Sequence, residues 1–171
     1  MRYGQIRRYD IANGVGIRTS IFVTGCTLHC PECFNEAYQD FNAGDLWTDA
    51  ETEQVIRYME DDNVSGLTIL GGEPMQNAEG LLPVVRAVKE RVKKSIWVYS
   101  GYPWDMILAD PTKKALLAEC DVLVDGPFVA ALRDPMLRFR GSSNQRVIDI
   151  PQSLAQGEVV LYRDEITGDV M

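Results

Sequence analysis

Residues 66–101 read GLTILGGEPMQNAEGLLPVVRAVKERVKKSIWVYSG. Gly66 to Leu70 is a short apolar run closed by Gly71-Gly72, which predicts a buried strand ended by a turn. Leu81, Val84, Val85, Val88 and Val92 recur at helical spacing and predict a helix from Leu81 to Lys94 with one apolar face. Ser95 to Tyr99 is again rich in β-branched and aromatic residues, and Ser100-Gly101 ends it. Strand, helix and strand in so short a span predict a parallel pair joined by a right-handed crossover.

The same alternation extends outward. Arg18 to Thr24 (RTSIFVT) predicts a strand before this unit. Thr48, with Glu51 three residues on, predicts a capping box opening a helix that runs to about Asp61 and buries Val55, Ile56 and Met59. Shorter helical turns fill 104–119, Val122 to Val124 is a fourth strand, and Gln145 to Ile150 is a fifth. An edge strand is expected over Glu158 to Tyr162. The expected fold is α/β, an open, partial β/α barrel with a parallel sheet, since five strands are too few for a closed barrel of eight. The chain, 1–171, reads as one domain, with 151–171 as an extended C-terminal tail. In such folds the functional loops follow the C-terminal ends of the strands.

Composition sets the class. The 171 residues are 46% hydrophobic and 25% charged, an ordinary globular balance. No apolar run is long enough for a bilayer, and no leader-like h-region follows Met1-Arg2, so a cytoplasmic protein without membrane contact is expected. Seventeen basic against 25 acidic residues give a net charge of −8. That balance argues against nucleic acid as a partner.

Three of the four cysteines, Cys26, Cys30 and Cys33, follow the Arg18–Thr24 strand directly. Soft thiolates at this spacing select an iron–sulfur cluster, zinc or cuprous copper. Three thiolates can hold three corners of a cubane cluster and leave one iron open for chemistry. Two other readings of the spacing stand beside this one. His29 could complete a structural zinc site, or Cys30 and Cys33 could form a redox dithiol. Cys120 precedes the fourth strand, whereas Cys26 follows the first. In a parallel sheet these are opposite ends, so Cys120 is read as a buried small hydrophobe.

Cys26-x3-Cys30-x2-Cys33, followed after the next strand by Gly71-Gly72-Glu73-Pro74, resembles the cluster loop and glycine-rich motif of the radical S-adenosylmethionine superfamily. Asp10–Arg18, Val23–Cys26, Cys33-Phe34-Asn35, Trp97–Tyr102, Val122–Phe128 and Arg140–Gln145 are similar, in collinear order, to the activating proteins of anaerobic ribonucleoside-triphosphate reductase. The resemblance implies one 4Fe-4S cluster held by Cys26, Cys30 and Cys33, and S-adenosyl-L-methionine bound at the open iron. It implies reductive cleavage to a 5′-deoxyadenosyl radical, which takes hydrogen from a glycine of the reductase, the protein substrate. A small electron donor such as flavodoxin is implied as a second partner. Many superfamily members carry an aromatic residue just before the last cysteine; here that position is Glu32, and Phe34 follows instead.

Other candidate cofactor contacts follow from placement and resemblance together. Gly71 and Gly72 allow close backbone approach to a ligand, though an ordinary turn would use the same residues. Glu73 is read as organising that loop. Ser100, at the end of the third strand, could meet ribose or the methionine carboxylate, and Asp125, at the end of the fourth, could bind ribose or a cation or belong to an ordinary turn; Asn35 could meet the cofactor or close a local turn. Arg138, Arg140, Ser142, Ser143, Asn144 and Gln145 are expected to shape the mouth or to touch the reductase. Two other functions compete: a small radical enzyme acting on a free metabolite, and a zinc-stabilised binding module.

Overall fold

The computed structural model describes residues 1–171. Strands β1 (Arg2–Asp10), β2 (Arg18–Val23), β3 (Asp45–Leu46), β4 (Gly66–Gly71), β5 (Ser95–Tyr99), β6 (Val122–Asp125) and β7 (Arg146–Asp149) form one sheet in the order β3-β1-β2-β4-β5-β6-β7. The centre, β2-β4-β5-β6, is parallel. Helices α1 (Asp49–Met59), α2 (Ala78–Arg91), α3 (Trp104–Leu108), α4 (Pro111–Ala118) and α5 (Ile150–Gln156) complete a mixed α/β fold. Thr48 caps α1 with the predicted capping box, and its Val55, Ile56 and Met59 are buried. Helix α2 begins three residues before the expected start, because Glu73 caps a 3-10 turn at Pro74–Asn77 that feeds directly into it.

Alternation along each strand divides the sheet into two faces. Ile21, Val23, Leu67, Ile69, Ile96, Val98, Leu123 and Ile148 join the helices in the main core. The opposite face carries Trp97, Val122, Val124 and Val147 against Met171, with Val15, Tyr99, Phe139 and Tyr162 at its margin. That second face is also polar at its β2 end. Arg18 is buried, and burial lowers its pKa to about 10. It has no carboxylate partner and donates instead to Thr68 Oγ1 and to the carbonyls of Val15, Leu67 and Ser95. Asp10 accepts from Ser20, Asn13 and the Ala12 amide, which holds the loop between β1 and β2 over this face.

The sheet differs from a purely parallel one at three pairings: β1 with β2, β1 with β3, and β7 with β6. Strand β1 is antiparallel to β2 and is absent from the sequence reading. Its segment, RYGQIRRYD, is half exposed and mostly polar, so it lacks the apolar run by which the inner strands are recognised. Strand β7 is antiparallel to β6. A parallel connection needs a crossover of a dozen or more residues, usually a helix. Residues 126–145 hold only a three-residue 3-10 turn at Ala130–Leu132, so the chain turns back at the end where β6 finished. The expected edge strand at 158–162 is reduced to one bridge, Ile148 to Leu161. Beyond it the chain folds back: Asp164 is buried and accepts from Arg138 at 3.0 Å, and Met171 packs in the cluster around Trp97.

Candidate active site

Because β2, β4, β5 and β6 are parallel, the loops that follow them emerge at one end of the sheet. A cavity of about 630 Å³ opens there. Its wall includes Cys26, Cys30, Cys33, Phe34 and Asn35 from the loop after β2, Gly71, Gly72 and Glu73 after β4, and Ser100 and Gly101 after β5. The three thiols are half-buried and unpaired with one another. Asn35 donates its amide to Cys33 Sγ at 3.4 Å, the kind of N–H···S contact that tunes a cluster's potential. Burial pushes the Cys26 thiol up, opposed by a backbone hydrogen bond with Leu28; the nearby Glu73, Cys30 and Cys33 charges push it further. A bound metal centre reverses that balance and holds the thiolates deprotonated.

A cluster and a single ion ask different spacings of the three thiols. With Zn–S bonds of about 2.3 Å, tetrahedral zinc draws its thiolates to roughly 3.8 Å of each other. No group of three His, Cys, Asp or Glu side chains is gathered so as to hold one ion. His29 is exposed and outside the cavity wall. Cys120 is buried at 3% exposure at the other end of the sheet, its thiol donating to the Leu116 carbonyl at 3.4 Å.

The glycine loop is tied to the cluster loop. Gly72 N donates to Val23 O and Glu73 N to Gly25 O, each at 2.8 Å. Gly71 has φ +109°, and a Cβ there would lie 2.5 Å from the Val23 carbonyl, so only glycine is accommodated. At Gly72 a Cβ would lie 2.6 Å from the carbonyls of Gly25 and Tyr38. The Glu73 side chain is buried and accepts from Gly101 N at 2.6 Å, Met75 N at 2.8 Å and Ser100 Oγ at 2.9 Å. It therefore joins the ends of β4 and β5. Burial pushes its pKa to about 7 against those three donors.

Gln76 adds a second tie. Its amide accepts from Thr27 N at 3.0 Å and donates to Thr27 Oγ1 at 2.7 Å, directly after Cys26. Gln76→Ala should cost about 1 kcal/mol of stability and speed the loss of iron from the reconstituted protein severalfold. Iron release to a chelator reads this, and an unchanged rate would show that Thr27 needs no clamp.

Arg138, Ser142, Ser143 and Asn144 are not on the cavity wall, and two of the candidate cofactor contacts also lie away from it. Glu32 is exposed in the cluster loop, with a left-handed φ of +57°. Asp125 is buried, but its carboxylate accepts from Arg146 at 2.7 and 3.1 Å and from Trp104 N at 2.9 Å, which ties β6 to β7 and to α3. Ser100 lines the wall, yet its hydroxyl is engaged by Glu73 and by Tyr102 N. The structure in turn adds wall residues that the sequence reading did not single out: Arg7, Asn13, Phe22, Leu70, Tyr99, Phe128 and Phe139. Asn13 falls within Asp10–Arg18, the segment whose similarity was already visible. Tyr99 and Phe128 likewise fall within Trp97–Tyr102 and Val122–Phe128, whereas Arg7, Phe22, Leu70 and Phe139 carry no such signal, since strand alternation alone does not say which face meets a cavity. Arg140, Gly141 and Gln145 also reach the wall, from the loop before β7.

Comparison with known proteins bears on this geometry. The family model of the 4Fe-4S single cluster domain matches residues 12–148. An anaerobic ribonucleoside-triphosphate reductase-activating protein of Haemophilus influenzae is 42% identical over 150 residues, 85% of this chain and 96% of that one. The chain belongs to this activating-protein family. The protein of the same name from Escherichia coli K12 is 39% identical over 152 residues, covering 86% of this chain and 97% of its own length. That of Enterobacteria phage T4 is 34% identical over 150 residues, 86% and 93% of the two chains. The matched family is that of a 4Fe-4S single cluster domain, and all four cysteines, the three in the cavity wall and Cys120, fall within the matched residues. No helix is long and apolar enough to cross a membrane.

Proposed function

We propose that the chain activates an anaerobic ribonucleoside-triphosphate reductase by cleaving S-adenosyl-L-methionine reductively and generating a radical on a glycine of that reductase. The supporting observation is the meeting of Cys26, Cys30 and Cys33 with the Gly71-Gly72 loop in one open cavity, in a chain 42% identical to an activating protein. A bound 4Fe-4S cluster supplies the electron for cleavage. The residues of the chain do the rest. Cys26, Cys30 and Cys33 would hold the cluster, three thiolates for four irons. Gly71 and Gly72 let the backbone approach the amino-acid part of the cofactor. Glu73 fixes that loop against Ser100 and Gly101, and Phe22, Leu70, Tyr99 and Phe34 supply apolar wall that excludes water from the reacting centre. The open side admits a segment of the protein substrate. The same reading takes the sheet as an open, partial β/α barrel forming one domain over 1–171, and a small flavoprotein such as flavodoxin as the electron donor.

After anaerobic reconstitution, about four irons and matching sulfide per chain are expected. With dithionite, S-adenosylmethionine should be cleaved, and a glycyl radical should appear in the added reductase by electron paramagnetic resonance. Cleavage with no radical on any reductase would turn the reading toward a free metabolite as substrate; zinc in place of iron would remove it.

A further inference from the structure

Across the chain, the only buried side-chain nitrogen or oxygen without a hydrogen-bond partner is Arg140 Nε. Arg140 is on the cavity wall. Its Nη1 is fixed by donation to the Gln145 carbonyl at 2.7 Å. Gln145 is itself fixed: its side-chain oxygen accepts from Gly141 N at 2.8 Å and Ser142 N at 3.2 Å, and its Nε2 donates to Gly126 O at 3.0 Å. The Arg-Gly-Ser-Ser-Asn-Gln segment thus closes on itself and presents one guanidinium in a set orientation. Pinning Nη1 leaves the Nε–Nη2 edge, and two parallel N–H donors on that edge match the two oxygens of a carboxylate.

The chain does not supply that carboxylate. Arg140 takes part in none of its ion pairs. Of the acids on the wall, Glu73 is taken up by its three donors, and Asp134 accepts from Met136 N. The other wall arginines differ. Arg7 is near Asp10 at 3.8 Å and over the Phe22 ring, and Arg133 is over the Phe34 ring at 5.3 Å; Arg133 is exposed. Leaving a buried donor unpaired is costly, and a reactant can relieve it.

We propose that Arg140 holds a carboxylate brought into the cavity by a reactant. This rests on the function proposed above. The carboxylate has two sources, the amino-acid end of S-adenosylmethionine or an acidic side chain on the reductase segment that enters. The test uses reconstituted Arg140→Gln, with Arg140→Lys beside it, which keeps the charge without the fork. Binding of S-adenosylmethionine and of its decarboxylated analogue is measured by equilibrium dialysis, and the KM for the reductase is measured during activation. If the cofactor is the source, Arg140→Gln binds S-adenosylmethionine roughly 10- to 100-fold more weakly and the decarboxylated analogue as wild type does. If the reductase is the source, cofactor binding is unchanged and the KM for the reductase rises by a similar factor. Arg140→Lys restores only part of either loss, and gives the same two readings should the Gln variant fail to reconstitute. Wild-type values throughout overturn the proposal, and so do equal losses on both cofactors with an unchanged reductase KM. A wild-type protein that neither cleaves S-adenosylmethionine nor activates the reductase fails the proposed function instead.

Discussion

Replacing Cys26, Cys30 or Cys33 by alanine should abolish S-adenosylmethionine cleavage while leaving a folded chain. Each thiol is only half-buried; Cys33 Sγ accepts the Asn35 amide, and the Cys26 thiol has a backbone hydrogen bond with Leu28. Loss of one of these side chains should therefore change stability by no more than about 1 kcal/mol. The backbone of the loop is held independently, by Gly25 N to Tyr38 O at 2.8 Å and Cys26 N to Gln39 O at 2.9 Å. A cluster with two protein thiolates instead of three should be lost, so iron, sulfide and visible absorbance should fall together. Cys120→Ala is the contrasting variant. Its thiol is buried, its pKa pushed far up by that burial, and it is one of the core residues. It should lose roughly 1 kcal/mol of stability and keep full iron and cleavage. Loss of iron from Cys120→Ala would show that the two ends of the sheet are not separate in function.

Glu73→Ala should have the second largest effect, because it strips three donors of their acceptor at once. Gly101 N, Met75 N and Ser100 Oγ would be left buried, at about 1–3 kcal/mol each before relaxation. The net loss should be at least about 3 kcal/mol, with S-adenosylmethionine binding weakened at least about tenfold as the Gly71-Gly72 loop loosens. The pH dependence has a definite sign. The folded-state pKa is raised from 4.5 to about 7, with burial the main cause. The folded chain therefore holds this proton over a range where the unfolded chain has lost it. The contribution is fully present below 4.5 and is lost as pH rises through about 7. It amounts to roughly 3 kcal/mol at about 1.36 kcal/mol per pKa unit. Glu73→Gln cannot titrate, so the wild type should lose stability relative to this variant between pH 5 and pH 8. Thermal unfolding at those two values measures the difference, and a constant gap would show that Glu73 stays ionised throughout.

The inner strands and the long helices were legible because their signals are local. Ser95–Tyr99 coincides with β5, and the Thr48–Glu51 pair caps α1 as read. Strand β1 was not legible, since a polar, half-exposed strand resembles a loop until β2 and β3 pair with it. The direction of β7 was not legible either. It depends on whether residues 126–145 cross the sheet, and that is settled by the absence of a crossover helix rather than by the strand's own composition.

The sequence by itself determined the chemistry: three thiolates at a spacing that soft metals select, and a glycine pair able to bring backbone to a ligand. Spacing and residue type are covalent facts, and they survive any error in strand order. Tertiary structure alone decided which polar groups are free to act. Asp125 and Ser100 both end strands at the site, but Arg146 and Trp104 occupy the first and Glu73 the second. Arg140 looked like one charge in a polar loop, and the antiparallel return of β7 brings it to the cavity with one edge unpaired. A hydrogen-bond partner is supplied by residues distant in the chain, so no local pattern reveals whether a donor or acceptor is already taken.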